Sequence, residues 1–553
     1  MRHHRGRYQR DRQAGLPLRA GEGDQIGVTL PSLSGFAPGA IHKSPLRFLG
    51  PLLLIIGLWG LCSIAGCTPR ASDPLAAPLV IGLEAGPTNL DPRLATDAYS
   101  ERIDQLIFNG LVRRTPQGDI APDLADRWEV KDDRVYTFHL RPGVRFQDGT
   151  ALSSDDVRYT FESLLSPSFT SPYKKDYEVI DRIETPDPTT IRFVLKGPFA
   201  PFLLNLTRGI VPRHLAEAAG KNFSSEPVGT GPFLFTRWIP DQAVELTANS
   251  FYYEGAPKLK KVIFRIIPEE STRLLELLAG SVDLLENALS PDLLDRIEHT
   301  PTLAVYMGEG NNYTYMGFNL ADPILKDLRV RRAIAMAIDR DGIIKNILRG
   351  TAEPATGLLP PAHWAYDPDV RRYPYSPREA KRLLSEAGYR LPLRLSFKTS
   401  QNELARRIAE AIQQQLAEVG IEIDLRTYEW GTFYADIKAG NFQLYTLSWV
   451  GVNDPDLYYM TFHSQSLPPT GANRGRYVDS EMDRLLTEGR KTLDQNRRAR
   501  IYAEVQRRAA ERLPYVSLWY TKNVVVMKRD IKGFLLYPGG DLISLKQVYR
   551  AAP

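Results

Sequence analysis

Two carboxylates stand one residue apart in Trp449-Val450-Gly451-Val452-Asn453-Asp454-Pro455-Asp456, beside a tryptophan and after an apolar approach. Three kinds of chemistry suit them: an acid/base pair, a charged grip on a ligand, or the opening of a helix. Glycosidase-type carboxylates flank a bond from opposite sides, roughly 5 to 9 Å apart. Close alternation within one segment does not arrange that. As a helix start, Asp454 would be the N-cap, Pro455 the first helical residue and Asp456 an anion in the first turn, with Leu457 to Phe462 as the body.

The remaining reactive residues argue against catalysis. After residue 67 the histidines are His139, His214, His299, His363 and His463. No two have zinc-site spacing, and there is no Gly-x-Ser-x-Gly elbow or phosphate-binding loop with its lysine. The two cysteines are Cys62 and Cys67, which leaves the body without a thiol nucleophile, a thiolate metal site or a disulfide. Enzyme activity is therefore not expected, nor is a cofactor or a metal. Val228-Gly229-Thr230-Gly231-Pro232-Phe233 reads as a tight turn introducing a strand Phe233 to Trp238 rather than as a phosphate loop. The arginines from Arg497-Arg498 to Arg507-Arg508 alternate with Ile501, Val505 and Ala509 and read as the solvated face of a helix.

The elements that must position Trp449 to Asp456 are legible upstream. Ser376-Pro377-Arg378-Glu379 has a capping-box pattern ahead of Ala380, Leu383, Leu384 and Ala387, with Gly388 as the stop. Leu391 to Phe397 then predicts a strand, Glu403 to Val419 a helix, and Ile421 to Tyr428 a second strand. Thr432 to Ala439 predicts a short helix and Phe442 to Trp449 a third strand. This β-α-β-α-β order implies a parallel sheet with right-handed crossovers, whose ligands bind beyond the carboxyl ends of the strands. Trp449 to Asp456 falls there, and Tyr428 and Trp430 fall at a neighbouring strand end and in the loop after it, where rings line pockets. Earlier, Leu79 to Leu83 reads as a strand, Asp97 to Val112 as a helix and Tyr136 to Leu140 as an antiparallel strand. Ser153-Ser154-Asp155-Asp156 opens a further helix, and Asp187-Pro188-Thr189 turns a hairpin. The fold class is mixed α/β.

With 553 residues, 43% hydrophobic and 24% charged, the chain has the composition of a folded protein with two to four domain-sized cores. Of its 70 basic and 65 acidic side chains, eight and three lie in residues 1–66, so the net +5 belongs to that segment and the rest is balanced. Nucleic acid is therefore not an expected partner. Lys43 and Arg47 precede the apolar run Phe48 to Leu61 and then Ser63-Ile64-Ala65-Gly66-Cys67, the pattern of an export signal. Residues 48–67 also have about the length of a membrane span, although Gly50, Pro51, Gly57 and Gly60 suit one poorly.

Ile64-Ala65-Gly66-Cys67 resembles the bacterial lipobox, which implies a lipidated Cys67 at the start of the mature chain. Six stretches in order resemble one family, the bacterial extracellular solute-binding proteins of the peptide/nickel type, family 5. They are "APDLADRWEV" (121–130), "YTFHLRPGVRFQDGTALSSDDV" (136–157), "PVGTGPFLF" (227–235), "VRRAIAMAIDRDGI" (330–343), "AKRLLSEAGY" (380–389) and "LAEVGIEIDL" (416–425).

The resemblance implies a two-lobed periplasmic-binding-protein type II fold, with a cleft between the lobes, a hinge of two crossing segments and an extra inserted domain. The expected boundaries are a leader and signal at 1–66, a tether at 67–78, lobe I at 79–120, 228–318 and 514–553, the inserted domain at 121–227, and lobe II at 319–513. It implies the substrate-binding component of an ABC importer. Such a protein is exported and lipid-anchored on the periplasmic side of the membrane, is monomeric, and delivers peptides to a permease and its ATPase subunits.

The ligand-binding set expected on this basis is Glu84, Gly86, Thr88, Tyr428, Trp430, Trp449, Val450, Gly451, Val452, Asp454 and Asp456. In peptide binders of the family an aspartate that pairs with the ligand's α-ammonium follows the strand ending at Trp449, and that position here is Val452. The arginines that can meet a peptide carboxylate align with Ile437 and Thr446. Either Asp454 or Asp456 substitutes, or contacts go to peptide backbone, or the solute is a non-peptide such as an oligosaccharide or metal chelate. A sensor presenting its solute to a membrane receptor is a further alternative.

Overall fold

Two long strands, Leu303–Phe318 and Tyr515–Lys528, run antiparallel at the centre of an eleven-stranded sheet and belong to both of its halves. The computed structural model describes residues 77–551. Cys67, the apolar run 48–61 and the tether as far as residue 76 lie outside the described residues. To one side of the central pair come Leu444–Trp449, Leu393–Ser400 and Ile421–Tyr428. To the other come Leu284–Glu286, Leu79–Leu83, Lys261–Ile266, Ala243–Ala248 and Phe233–Ile239, and Ala352–Pro354 adds the eleventh strand alongside Tyr515–Lys528.

The expected β-α-β-α-β unit builds the first of these sides. Leu393–Ser400 pairs in parallel with both Ile421–Tyr428 and Leu444–Trp449, so the strand that comes first in sequence lies in the middle. The connecting helices are Glu403–Glu418 and Trp430–Ala439. The first is capped by the Asn402 side chain and buries Ile408, Ile412 and Leu416 at helical spacing against the sheet. Gly420 follows it with φ 89°, a conformation that side chains resist. Phe397, Ile412, Leu444 and Trp519 belong to the core of this lobe, whereas Leu79, Ile81, Phe233, Phe264 and Leu545 belong to the core of the other. Full burial of each large apolar side chain contributes roughly 1.5–3 kcal/mol, so each lobe carries its own hydrophobic stabilisation.

A third core lies under a separate four-stranded antiparallel sheet, ordered Ala125–Lys131, Val135–Leu140, Thr190–Leu195, Ile180–Asp187. Its helix Ser154–Leu165 opens with a capping box between Ser153 and Asp156, and Phe161 meets Phe193 edge-on at 5.2 Å.

Four local expectations are corrected. The helix expected to reach Val112 is Ala98–Ile107, and Val112–Arg114 is a strand. The cause is the Val228–Phe233 turn, whose Gly231 N–H caps the Ile107 carbonyl at 2.8 Å. A Cβ on Gly229 would lie 2.1 Å from that same oxygen. The expected capping box does not form: Ser376 makes no side-chain capping bond, its N–H donates to the Met336 carbonyl at 2.7 Å, and Glu379 pairs with Arg382. The third strand of the parallel unit begins at Leu444, not Phe442. The short helix begins at Trp430, not Thr432, because the Glu429 carboxylate accepts the Gly431 and Thr432 N–H groups.

Where the central strands pass from one lobe to the other, their register breaks. Gly308 faces Asn523 and Asn312 faces Thr521, leaving a bulge over 309–311. A Cβ on Gly310 would sit 2.0 Å from the Thr521 carbonyl oxygen, so the bulge depends on that glycine. No helix among the described residues is long and apolar enough to cross a membrane.

Candidate functional site

The loop after Leu444–Trp449 is stitched to that bulge. Val450 is exposed, and Gly451, at φ 69°, turns the chain. The Gly451 N–H donates to Asn312 Oδ1 at 3.0 Å and the Val452 N–H to the Asn311 carbonyl at 3.0 Å. Asn453 Oδ1 accepts from Asn311 Nδ2 at 2.6 Å. Val452 itself is 2% exposed and belongs to the aromatic cluster of Tyr313, Tyr458 and Phe462. The position where a charge would be expected is thus an apolar anchor of the loop.

Asp454 and Asp456 are both engaged within the protein. Arg498 holds Asp454 by Nη2 to Oδ1 at 2.6 Å and Nη1 to Oδ2 at 2.9 Å. Arg490 holds Asp456 by Nη2 to Oδ2 at 2.6 Å and Nε to Oδ1 at 2.9 Å, with its guanidinium 3.4 Å from the Tyr459 ring centroid. Burial pushes the Asp456 carboxyl up against the opposing pull of Arg490. Burial alone would lower Arg498, yet Asp454 holds it above the ordinary arginine value.

The helix reading of this segment holds only in outline. Helix Leu457–Phe462 has Asp456 as its N-cap residue without a side-chain capping bond, and Asp454 Oδ1 instead accepts the Asp456 N–H at 2.7 Å. The arginine-rich helix Gln495–Arg512 is the expected solvated face only in part: Arg497, Arg500 and Arg507 are exposed, whereas Arg498 is buried against Asp454 and Arg508 is held by Asp479.

An aromatic wall stands beside the loop. Trp430 is the first residue of its helix, not a loop residue, and its ring is 55% exposed while stacking on Tyr434 at 5.6 Å and 6°. Arg474 donates to the Tyr434 hydroxyl at 3.2 Å and to the Tyr315 hydroxyl at 2.8 Å, and lies 4.7 Å from the Trp449 ring centroid. Tyr428 carries Lys398 over its ring at 5.1 Å. The sequence held no signal for Arg474 or Tyr434, because the contacts that make them neighbours span 40 residues or more.

On the facing lobe, Glu84 is exposed, 3.8 Å from Arg273. Burial and the neighbouring Glu84 push the Tyr99 hydroxyl up to about 12. Gly86 lets the chain pass close to Ile266, whose Cγ1 would lie 3.3 Å from an added Cβ. The Thr88 hydroxyl donates to Asp97 at 2.5 Å and its N–H to Ser100 Oγ at 3.0 Å, which ties it to the start of helix Ala98–Ile107.

A cavity of about 490 Å³ opens between the lobes. Helix Ala98–Ile107, Arg113, Arg208 and Asp541 line one side and Asn453 reaches it from the other. A second cavity of about 310 Å³ lies within the other lobe, around Tyr313, Tyr458 and Tyr515. Among the described residues no group of three His, Cys, Asp or Glu side chains could hold a metal ion. The loop Gly451–Asn453, the hinge bulge and the cavity form one connected unit suited to gripping a solute between two lobes.

Comparison with known proteins gives the same picture. Residues 119–468 match the family described as "Bacterial extracellular solute-binding proteins, family 5 Middle". Di/tripeptide-binding protein 2 of Pseudomonas aeruginosa is 31% identical, with 83% of this chain and 92% of that protein covered. Heme-binding protein A of Haemophilus influenzae is also 31% identical, over 82% of this chain and 89% of its own length. The solved structure of the periplasmic binding protein DppA from Helicobacter pylori, in complex with the peptide STSA, superimposes with a TM-score of 0.75 at 30% identity, covering 86% of this chain and 98% of that one. The chain belongs to the family 5 bacterial extracellular solute-binding proteins.

Proposed function

We propose that this protein receives peptides outside the cytoplasmic membrane and hands them to the permease of an ABC importer, whose ATPase subunits drive transport. One observation carries the reading. The loop Gly451–Asn453 is hydrogen-bonded to the hinge bulge at Asn311 and Asn312 and also reaches the interlobe cavity. A solute touching Asn453 and the first lobe together would favour the closed arrangement over the open one, the differential affinity that a binding protein needs. Trp430, Trp449, Val450 and Gly451 on one side and Glu84 on the other do not line the cavity itself, and are proposed as contacts made as the lobes close. Lobe I is assigned to residues 79–120, 228–318 and 514–553, the inserted domain to 121–227 and lobe II to 319–513, with the Tyr313–Phe318 and Tyr515–Tyr520 ends of the central strands packing into lobe II. A lipid on Cys67 would keep the monomeric protein beside its permease.

A second reading has its own support. Val452 is buried, Asp454 and Asp456 are each held by an arginine, and Ile437 is fully buried. The anchors expected for both ends of a free peptide are therefore lacking on this lobe, which also suits a non-peptide solute. Native mass spectrometry decides between the two: the complete gene is expressed in a bacterial host and the protein is purified as the cell processes it. Co-purified mixed peptides are the expected result. A sugar or metal chelate would overturn the peptide assignment, and a mature chain without acyl mass on Cys67 would overturn the anchor.

A further inference from the structure

Helix Ala98–Ile107 buries one acidic residue where its neighbours Ile103, Leu106 and Ile107 are apolar. Asp104 is 5% exposed and lines the interlobe cavity, and neither of its carboxylate oxygens has a hydrogen-bond partner among the described residues. The next residue repeats the pattern. Gln105 Nε2 donates to Asp541 at 2.7 Å, while its buried Oε1, in the same cavity, also has no partner.

The basic groups around the cavity are spent elsewhere. Arg113 pairs with Glu254 at 2.7 Å, Arg114 with Asp541 at 2.7 Å and Lys546 with Glu254 at 2.6 Å. Arg208 has no carboxylate partner among the described residues, but its hydrogen bonds go to the Pro92 carbonyl at 2.6 Å and the Tyr177 hydroxyl at 3.0 Å and none goes to Asp104. What stays unmatched at the cavity is three side-chain oxygens and no nitrogen. Buried acceptors left without a donor destabilise the protein, more so when charged. A group that brings several N–H donors and a positive charge removes that destabilisation.

We infer that Asp104, assisted by Gln105, receives a positively charged nitrogen of the solute, a primary ammonium or a guanidinium. The charge anchor then lies on the first lobe, opposite the position where Val452 provides none. Burial, with Asp91, Glu101 and Asp97 nearby and only Arg208 opposing, pushes the Asp104 carboxyl well up. An arriving cation supplies the countercharge that ionisation requires. The inference rests on the interlobe cavity being the solute site.

The test is calorimetric titration of the full, ligand-depleted protein and its Asp104→Asn and Asp104→Leu variants. The probes are a tripeptide library free of Lys, Arg and His, the same library N-acetylated, and agmatine as a non-peptide cation. The wild type is expected to bind the free-ended library at least tenfold more tightly than the acetylated one, and both variants to lose that preference. The variants are expected to melt no lower than the wild type, since no partner of Asp104 is lost. Equal binding of the two libraries by the wild type, or wild-type affinity in Asp104→Asn, overturns the inference while leaving the peptide reading intact. If neither library binds, the peptide reading fails and agmatine decides. Binding to the wild type but not to Asp104→Asn then sustains the inference, and any other result overturns it.

Discussion

Arg498 grips Asp454 through two parallel hydrogen bonds, at 2.6 and 2.9 Å, with only 6% and 17% of the two side chains exposed. The partners lie 44 residues apart. The pair fixes the end of the loop that faces the cleft to helix Gln495–Arg512. Removing one partner leaves the other as an uncompensated buried charge. Arg498→Ala is therefore expected to lower unfolding stability by about 3 kcal/mol. Urea unfolding of Arg498→Ala, Asp454→Ala and the double variant measures this, and additive single effects would show that the pair is not coupled.

The hinge bulge gives a second expectation. In Gly310→Ala the new methyl must displace the Thr521 carbonyl, a backbone atom that cannot swing aside. A loss of about 2 kcal/mol is expected from such overpacking. Thermal unfolding checks the loss, and small-angle scattering with and without the free-ended tripeptide library checks whether closure survives. An unchanged melting temperature would mean that the bulge tolerates a side chain.

Trp430 and Trp449 separate binding from folding. The Trp430 ring is largely exposed, so Trp430→Ala is expected to change stability by less than about 0.5 kcal/mol while weakening library binding severalfold. Trp449→Ala is expected to abolish ligand-induced quenching of tryptophan fluorescence. Wild-type affinity in both variants would remove the aromatic wall from the site.

Glu286 ties stability to pH. Burial pushes its carboxyl from the ordinary 4.5 up to about 7, opposed by Arg102 and reinforced by Asp541, and its Oε2 has no hydrogen-bond partner. The unfolded chain releases this proton near 4.5 and the folded chain only near 7, so between those values the folded state holds more protons. The stability from this group is complete below about 4.5 and declines as pH rises to about 7, by on the order of 3 kcal/mol. Glu286→Gln is expected to flatten that decline. Unfolding free energies from pH 4.5 to 8 measure it, and identical slopes in both proteins would refute the assignment.

The octapeptide at Trp449–Asp456 shows how far local signals reach. Strand ends, helix stops at Gly388, Gly420 and Gly440, and the parallel unit itself follow from period, turn chemistry and capping within a few residues. All three glycines indeed take positive φ. The misplaced end of helix Ala98–Ile107 has a tertiary cause, Gly231 reaching across to the Ile107 carbonyl. The family resemblance located the loop and its aromatic neighbours but not the charges that meet them.

What the sequence by itself determined is the mixed α/β architecture, the parallel unit that delivers Trp449 to a strand end, and the family. What only the tertiary structure decided is the charge state of the cleft. It placed Arg498 and Arg490 on the two aspartates, turned Val452 into a core, and left Asp104 unpaired beside a cavity. Local structure depends on neighbours a few residues away, which the sequence displays. Electrostatic pairing depends on which side chains converge across tens of residues, and packing alone settles that.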